Sequence, residues 1–109
     1  MDEKRRGLRF LFSAAAEVAP ESAPSAGVAA RVAEISQHGC YVDISAPFGA
    51  QTPVLLKIFN SGEYFEAKAT VIYVKPALGM GLAFREVKPH FLDILQKWVL
   101  ATMRNQKET

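Results

Sequence analysis

The chain has 109 residues, half of them apolar and 22% charged, with a formal net charge of +2. That suffices for one domain with its own core, is too little for two ordinary ones, and excludes a disordered or fibrous chain. No apolar run approaches the roughly 20 residues of a membrane span, the basic start lacks the apolar stretch of a signal peptide, and a single cysteine, Cys40, admits neither an internal disulfide nor a multi-cysteine metal site. A cytoplasmic protein without membrane insertion is the expectation.

Residues 1–8 hold almost no apolar surface and read as a flexible basic arm. Lys4, Arg5, Arg6 and Arg9 concentrate positive charge in an otherwise balanced chain, so the expected ligand is anionic. From Arg9 to about Val18, Phe10 and Phe12 alternate with Leu11 as in a first strand. The segment from Pro20 to Gly27 is rich in chain breakers and connects it to the next. Val28 to Ile35 is extended, Ser36 to Gly39 turns the chain, and Cys40 to Ser45 returns it, with Val42 and Ile44 opposite Tyr41 and Asp43.

Val54 to Phe59 forms an almost wholly apolar strand, and Asn60-Ser61-Gly62-Glu63 has hairpin-turn chemistry. In Tyr64 to Val74, Phe65, Ala67, Ala69, Val71 and Tyr73 fall on one face and Glu66, Lys68 and Thr70 on the other, the period of a half-buried antiparallel strand. Pro76 and Gly79 end it. Met80 to Phe84 is a last short strand, where Gly81 admits a bend or a close backbone approach. From Pro89 the apolar positions Phe91, Leu92, Leu95, Trp98, Val99 and Met103 recur at three and four, a helix with one stripe for the barrel or a partner. Asp93 early and Lys97, Arg104 and Lys107 late suit its dipole. The pattern predicts a single domain with a barrel over 9–87 and a helix over 89–106.

Two short pieces carry the chemistry. A guanidinium is planar, permanently charged and forked, so Arg5 and Arg9, four residues apart, can bind a phosphate bidentately, lie on a purine face or meet the O6/N7 edge of guanine. Arg6 and Lys4 add charge. In the second piece, Ser36 can donate to a phosphate oxygen or cap the turn, and Gly39 can take φ > 0 and bring the backbone close to a ligand. A carboxylate at Glu34 would accept from the N1 and N2 donors of guanine. Taken separately, the two pieces read as a solvated basic terminus and a good turn. His38 reads as an exposed turn residue, His90 as a surface group at the helix start, Cys40 as a small packed side chain and Trp98 as an anchor of helix to barrel. No nucleophile is paired with a base, and no enzyme activity or metal is expected.

Arg5-x-x-x-Arg9 followed by Ser36-x-x-Gly39 resembles the signature of the PilZ family, Arg-x-x-x-Arg and then Asp/Asn-x-Ser-x-x-Gly. The segment Gly79 to Phe84 is similar to the family's Gly-x-Gly-x-x-Phe close. The resemblance implies an all-β fold, a six-stranded antiparallel β-barrel with a C-terminal α-helix, over nearly the whole chain. It implies a receptor for cyclic di-GMP that needs no cofactor, with Arg5, Arg6, Arg9, Glu34, Ser36 and Gly39 at the ligand and the arm closing over it. A protein effector would then read the changed surface, with the domain a monomer or a homodimer. Glu34 departs from the family's Asp or Asn, which raises a second expectation: an adaptor that has lost the ligand and acts through protein contacts. A nucleic-acid polymer is the least expected partner, because the aromatic residues fall mainly at core-type positions and the basic charge is confined to one end.

Overall fold

The computed structural model describes residues 9–107. The strands are β1 (Phe10–Pro20), β2 (Val28–Ile35), β3 (Gly39–Asp43), β4 (Pro53–Asn60), β5 (Glu63–Lys75) and β6 (Gly79–Glu86), followed by the helix α1 (Pro89–Lys107). They form a closed barrel in the spatial order β1-β2-β3-β6-β5-β4, with each neighbouring pair antiparallel. The expected all-β barrel with a C-terminal helix is the fold observed.

Closure depends on β1 having two partners. Its residues from Ala15 to Pro20 pair with β4, ending with Pro20 opposite Val54, so the strand runs past the expected end at Val18. Ala14, Ala16 and Val18 point inward and are buried. Alanine is a weak strand former, and here packing overrides propensity. Small side chains on this wall leave room for the fully buried Leu56, Ile58 and Phe65 inside a narrow barrel. The β4–β5 hairpin turns through Ser61 and Gly62, with φ of 51° and 79°. Positive φ at both central residues gives the turn whose twist matches that of the strands.

β5 alternates as expected from Phe65 to Val71, and then the pattern inverts. The register passes from Val71 opposite Leu82 to Tyr73 opposite Gly81, which leaves Ile72 as the extra residue of a bulge. Val74 therefore packs against the core. Tyr73, which the period of two places on the same face as Val71, turns to the outer surface instead. The bulge is the physical reason for that correction.

α1 covers the barrel with Leu95, Trp98 and Val99. The Trp98 ring stacks on Phe12 at a centroid distance of 5.4 Å and lies 6.0 Å from Phe65. Its Nε1 donates to Glu63 at 2.9 Å, and Lys97 pairs with the same carboxylate. Those two partners, Lys97 first, hold the Glu63 carboxyl below its ordinary range. Leu92 and Met103, expected in the packed stripe, are exposed because the buried arc is narrow and centred on Leu95. Asp93 falls beyond the first turn, which holds no acidic residue, so it does little for the dipole. No helix among the described residues is long and apolar enough to cross a membrane.

Trp98 joins helix, β1 and β5, so its truncation removes packing from three elements at once. Trp98→Ala should lower stability by about 3–5 kcal/mol, the range for large aromatic truncations in a core, and Trp98→Phe by less. Urea unfolding followed by circular dichroism measures both.

Candidate functional site

The candidate residues gather on the outside of the barrel. A transverse row crosses five neighbouring strands, Leu11 on β1 opposite Glu34 on β2, then Tyr41 on β3, Gly81 on β6 and Tyr73 on β5. Arg9, just before β1, spans this row. Its Nη1 donates to the Tyr73 hydroxyl at 3.0 Å, and its Nε lies 3.7 Å from the Glu34 carboxylate. The Tyr73 hydrogen bond is the largest cause of a raised Arg9 pKa, so the guanidinium is a fixed positive charge at this face. Its side chain is 50% exposed and that of Glu34 is 39% exposed, and an ion pair so wet contributes only about 0–1 kcal/mol. An incoming anion can displace the carboxylate at little cost.

Ser36 sits differently. It is 4% exposed, and its Oγ accepts the backbone N–H of His38 at 3.1 Å and of Gly39 at 3.2 Å while donating to the Gly39 carbonyl oxygen at 3.3 Å. Its own N–H also donates to the Gly39 carbonyl, at 2.9 Å. The hydroxyl is thus engaged in closing the β2–β3 turn, the second of the two roles that its position allowed. The backbone of the turn is tied to β6 as well, since Phe84 N–H donates to the His38 carbonyl at 2.8 Å. Gly39 does not take the positive φ expected of it; among the described glycines only Gly62 does. What Gly39 provides is absence of bulk, because a Cβ there would strike the Leu82 carbonyl oxygen of β6.

Glycine acts in the same way on β6. Gly79 and Gly81 both face outward, the space of a Cβ at Gly79 is taken by the Tyr41 phenol, and that at Gly81 by the Tyr73 ring. The two rings lie nearly parallel, 17° apart with centroids 6.2 Å from each other, and Lys75 Nζ stands 5.2 Å from the Tyr41 centroid. Burial, and then the nearby Asp43 carboxylate, push the Tyr41 phenol pKa up, so it stays protonated. Arg9, Ser36, His38, Gly39, Tyr73 and Gly81 help to line a cleft of about 290 Å³. Cys40 also borders it, but burial pushes its thiol up to about 12, which leaves it protonated and unreactive.

Of the residues proposed from sequence, Arg9, Glu34, Ser36 and Gly39 are brought to this one end of the barrel. Arg5, Arg6 and the rest of the arm lie outside the described residues. Tyr41, Tyr73 and Lys75 were not singled out, although outward glycines at positions 79 and 81 signal that neighbouring strands lay large side chains over β6. A second groove of about 210 Å³, near the start of α1, is lined by Lys57, Lys68, Lys88, Glu66 and Glu86 among others. There Lys68 is shared between Glu21 and Glu86 at 3.9 and 3.8 Å, so part of its positive charge is neutralised internally.

The family model described as PilZ domain matches residues 3–101. Among solved structures, the chain is similar to the "PilZ domain with c-di-GMP of YcgR from Escherichia coli", with a TM-score of 0.78, 12% identity, and coverage of 97% of this chain and 96% of that one. The PilZ domain of CeSA from a cellulose-synthesizing bacterium gives a TM-score of 0.67 at 21% identity, over 86% of this chain and 96% of that one. The Bacillus subtilis inhibitor of motility, MotI/DgrA, gives 0.77 at 17% identity over 95% of this chain, which spans 53% of that protein. No curated protein sequence matches the chain.

The seat of the β2–β3 turn against β6 can be tested by adding one methyl group. Gly39→Ala should cost about 1–3 kcal/mol, because the blocking atom is backbone and must move with its strand. Thermal unfolding of the variant beside wild type gives the value.

Proposed function

The chain belongs to the PilZ domain family, and on that premise we propose that it binds cyclic di-GMP on the outer face built by Arg9, Glu34 and the Ser36–Gly39 turn. The observation that carries this reading is that an unburied arginine borders one cleft with a tight turn and has a carboxylate beside it, brought together from two separate places in the sequence. The similar PilZ domain of YcgR, whose structure is of the domain with c-di-GMP, lends the reading support.

In this account each group has a task. Arg9 gives two parallel hydrogen bonds to a phosphate or to the O6/N7 edge of guanine, and Arg5 and Arg6 add charge for the phosphates. Glu34 accepts from guanine N1 and N2. Ser36 acts through the turn: it fixes the backbone of His38 and Gly39 against β6, which keeps the floor of the cleft in place. On binding, the ligand's phosphates draw the basic segment 4–9 onto the barrel, and the altered surface is what a partner protein reads. The domain works as a binding module, and its setting is the cytoplasm.

One observation favours a second reading. The Glu34 carboxylate already stands beside Arg9, so the chain carries its own anion near the place a phosphate would take. A domain of this kind could serve as an adaptor without the nucleotide.

Titration calorimetry with cyclic di-GMP, with GTP and a short RNA as controls, separates the two. Arg5→Ala and Arg9→Ala should each weaken cyclic di-GMP binding by about 2–4 kcal/mol, as for truncating one side of a desolvated charge pair. Equal affinity of wild type and both variants would remove these arginines from the site. Absence of binding by wild type would leave the adaptor.

Glu34 is probed in the same experiment. Shortening it to Asp withdraws the carboxylate from Arg9 and restores the family's acceptor, so Glu34→Asp should tighten binding. Glu34→Ala should weaken it by about 1–3 kcal/mol if guanine donors are left unsatisfied. Tighter binding by Glu34→Ala would mean that the carboxylate only competes for Arg9.

A further inference from the structure

The helix α1 carries two apolar faces, and the barrel uses one of them. Leu95, Trp98, Val99 and Thr102 are buried, whereas Leu92, Leu100 and Met103 are 39%, 54% and 41% exposed. At about 100° per residue, Leu92, Met103, the exposed Gln96 and Leu100 fall within about 80° of one another, beginning where the buried arc ends at Val99. Single exposed leucines are ordinary, but three large apolar side chains on one face of a helix form a strip that gains from being covered. The charges beside the strip are ordered along it. Asp93 and Arg104 lie on the same flank, about 20° apart around the helix and about three turns apart along it, and among the described residues neither is in an ion pair. Lys97, on that side too, is already held by Glu63.

We propose that this face of α1 pairs with the same face of a second copy of the chain, the two helices running antiparallel about a two-fold axis level with Trp98. Leu92 of one protomer then meets Met103 of its partner, Gln96 meets Leu100, and Asp93 meets Arg104, each contact occurring twice because the patch is its own complement. A parallel pair would turn the charged flanks of the two helices to opposite sides and leave Asp93 and Arg104 unmatched. An acid at one end and a base at the other of a single flank is a pattern complementary to itself reversed, so the charge order selects both the occupant and its direction. Exposed pairs of this kind add little affinity, which comes from the apolar strip, but they fix the register. The proposal does not involve the nucleotide and stands whether or not cyclic di-GMP binds.

Sedimentation velocity of the wild-type chain without ligand, from about 5 to about 500 µM, should show a monomer-dimer equilibrium. Leu100→Glu, at the centre of the strip, should raise the dimer Kd about tenfold or more. Asp93→Arg alone sets two arginines against each other and Arg104→Asp alone sets two aspartates, so each variant should dimerise about threefold or more weakly than wild type. An equimolar mixture of these two variants should recover wild-type association, because every contact between positions 93 and 104 of the mixed dimer again joins opposite charges. Thermal melting checks that each variant is folded; should Leu100→Glu not fold, the mixing experiment decides. A wild-type chain that stays monomeric over the whole range would overturn the proposal and leave the strip to a different protein. A dimer that folded Leu100→Glu does not weaken would place the interface elsewhere, and charge variants that fail to complement each other would overturn the antiparallel register.

Discussion

The bare outer surface of β6 is the constraint on which the site depends. A small closed barrel fills its inside with side chains, here Met80 and Leu82 on β6, and the intervening positions must point out. At Gly79 and Gly81 those positions carry nothing, so Tyr41 from β3 and Tyr73 from β5 can lean in over the strand from either side. Gly39 extends the same principle to the neighbouring turn, which sits directly on the Leu82 carbonyl. Bulk at any of these three places would push apart the strands or the rings that define the cleft.

Magnitudes decide which groups hold the structure and which remain for a ligand. The Ser36 hydroxyl is buried and makes several hydrogen bonds within one turn, so removing it would strand backbone donors at about 1–3 kcal/mol. Arg9 and Glu34 are half in water, and their mutual attraction is worth at most about 1 kcal/mol. Cyclic di-GMP brings two phosphodiester charges against one carboxylate, and each phosphate can accept a bidentate guanidinium. The rigid part of the site is therefore its turn and its glycines, and the exchangeable part is its charges.

Much of this was legible in the residues. The strands, the Ser61-Gly62 hairpin and the helix follow from periods and turn chemistry, and Arg9, Glu34, Ser36 and Gly39 could be named as a set before their proximity was visible. Tyr73 could not, because a bulge is a property of two strands in register, and a period of two read along β5 alone continues straight through it. The role of Gly39 was hidden for a related reason: its need is for space beside β6, which no local φ preference reveals. Leu92 and Met103 show the same limit on α1, where the width of the buried arc is set by the barrel and not by the helix.

The central claim is that the anionic ligand sits on the β2–β3–β6–β5 face, and amide resonances recorded during a titration with cyclic di-GMP test it most directly. The account predicts that the largest shifts fall on Arg9, Glu34, His38, Gly39, Tyr41, Tyr73 and Gly81, the residues of one continuous row and its adjoining turn. Shifts gathered instead around Lys57, Lys68 and Lys88 in the groove by α1, with that row unmoved, would contradict it.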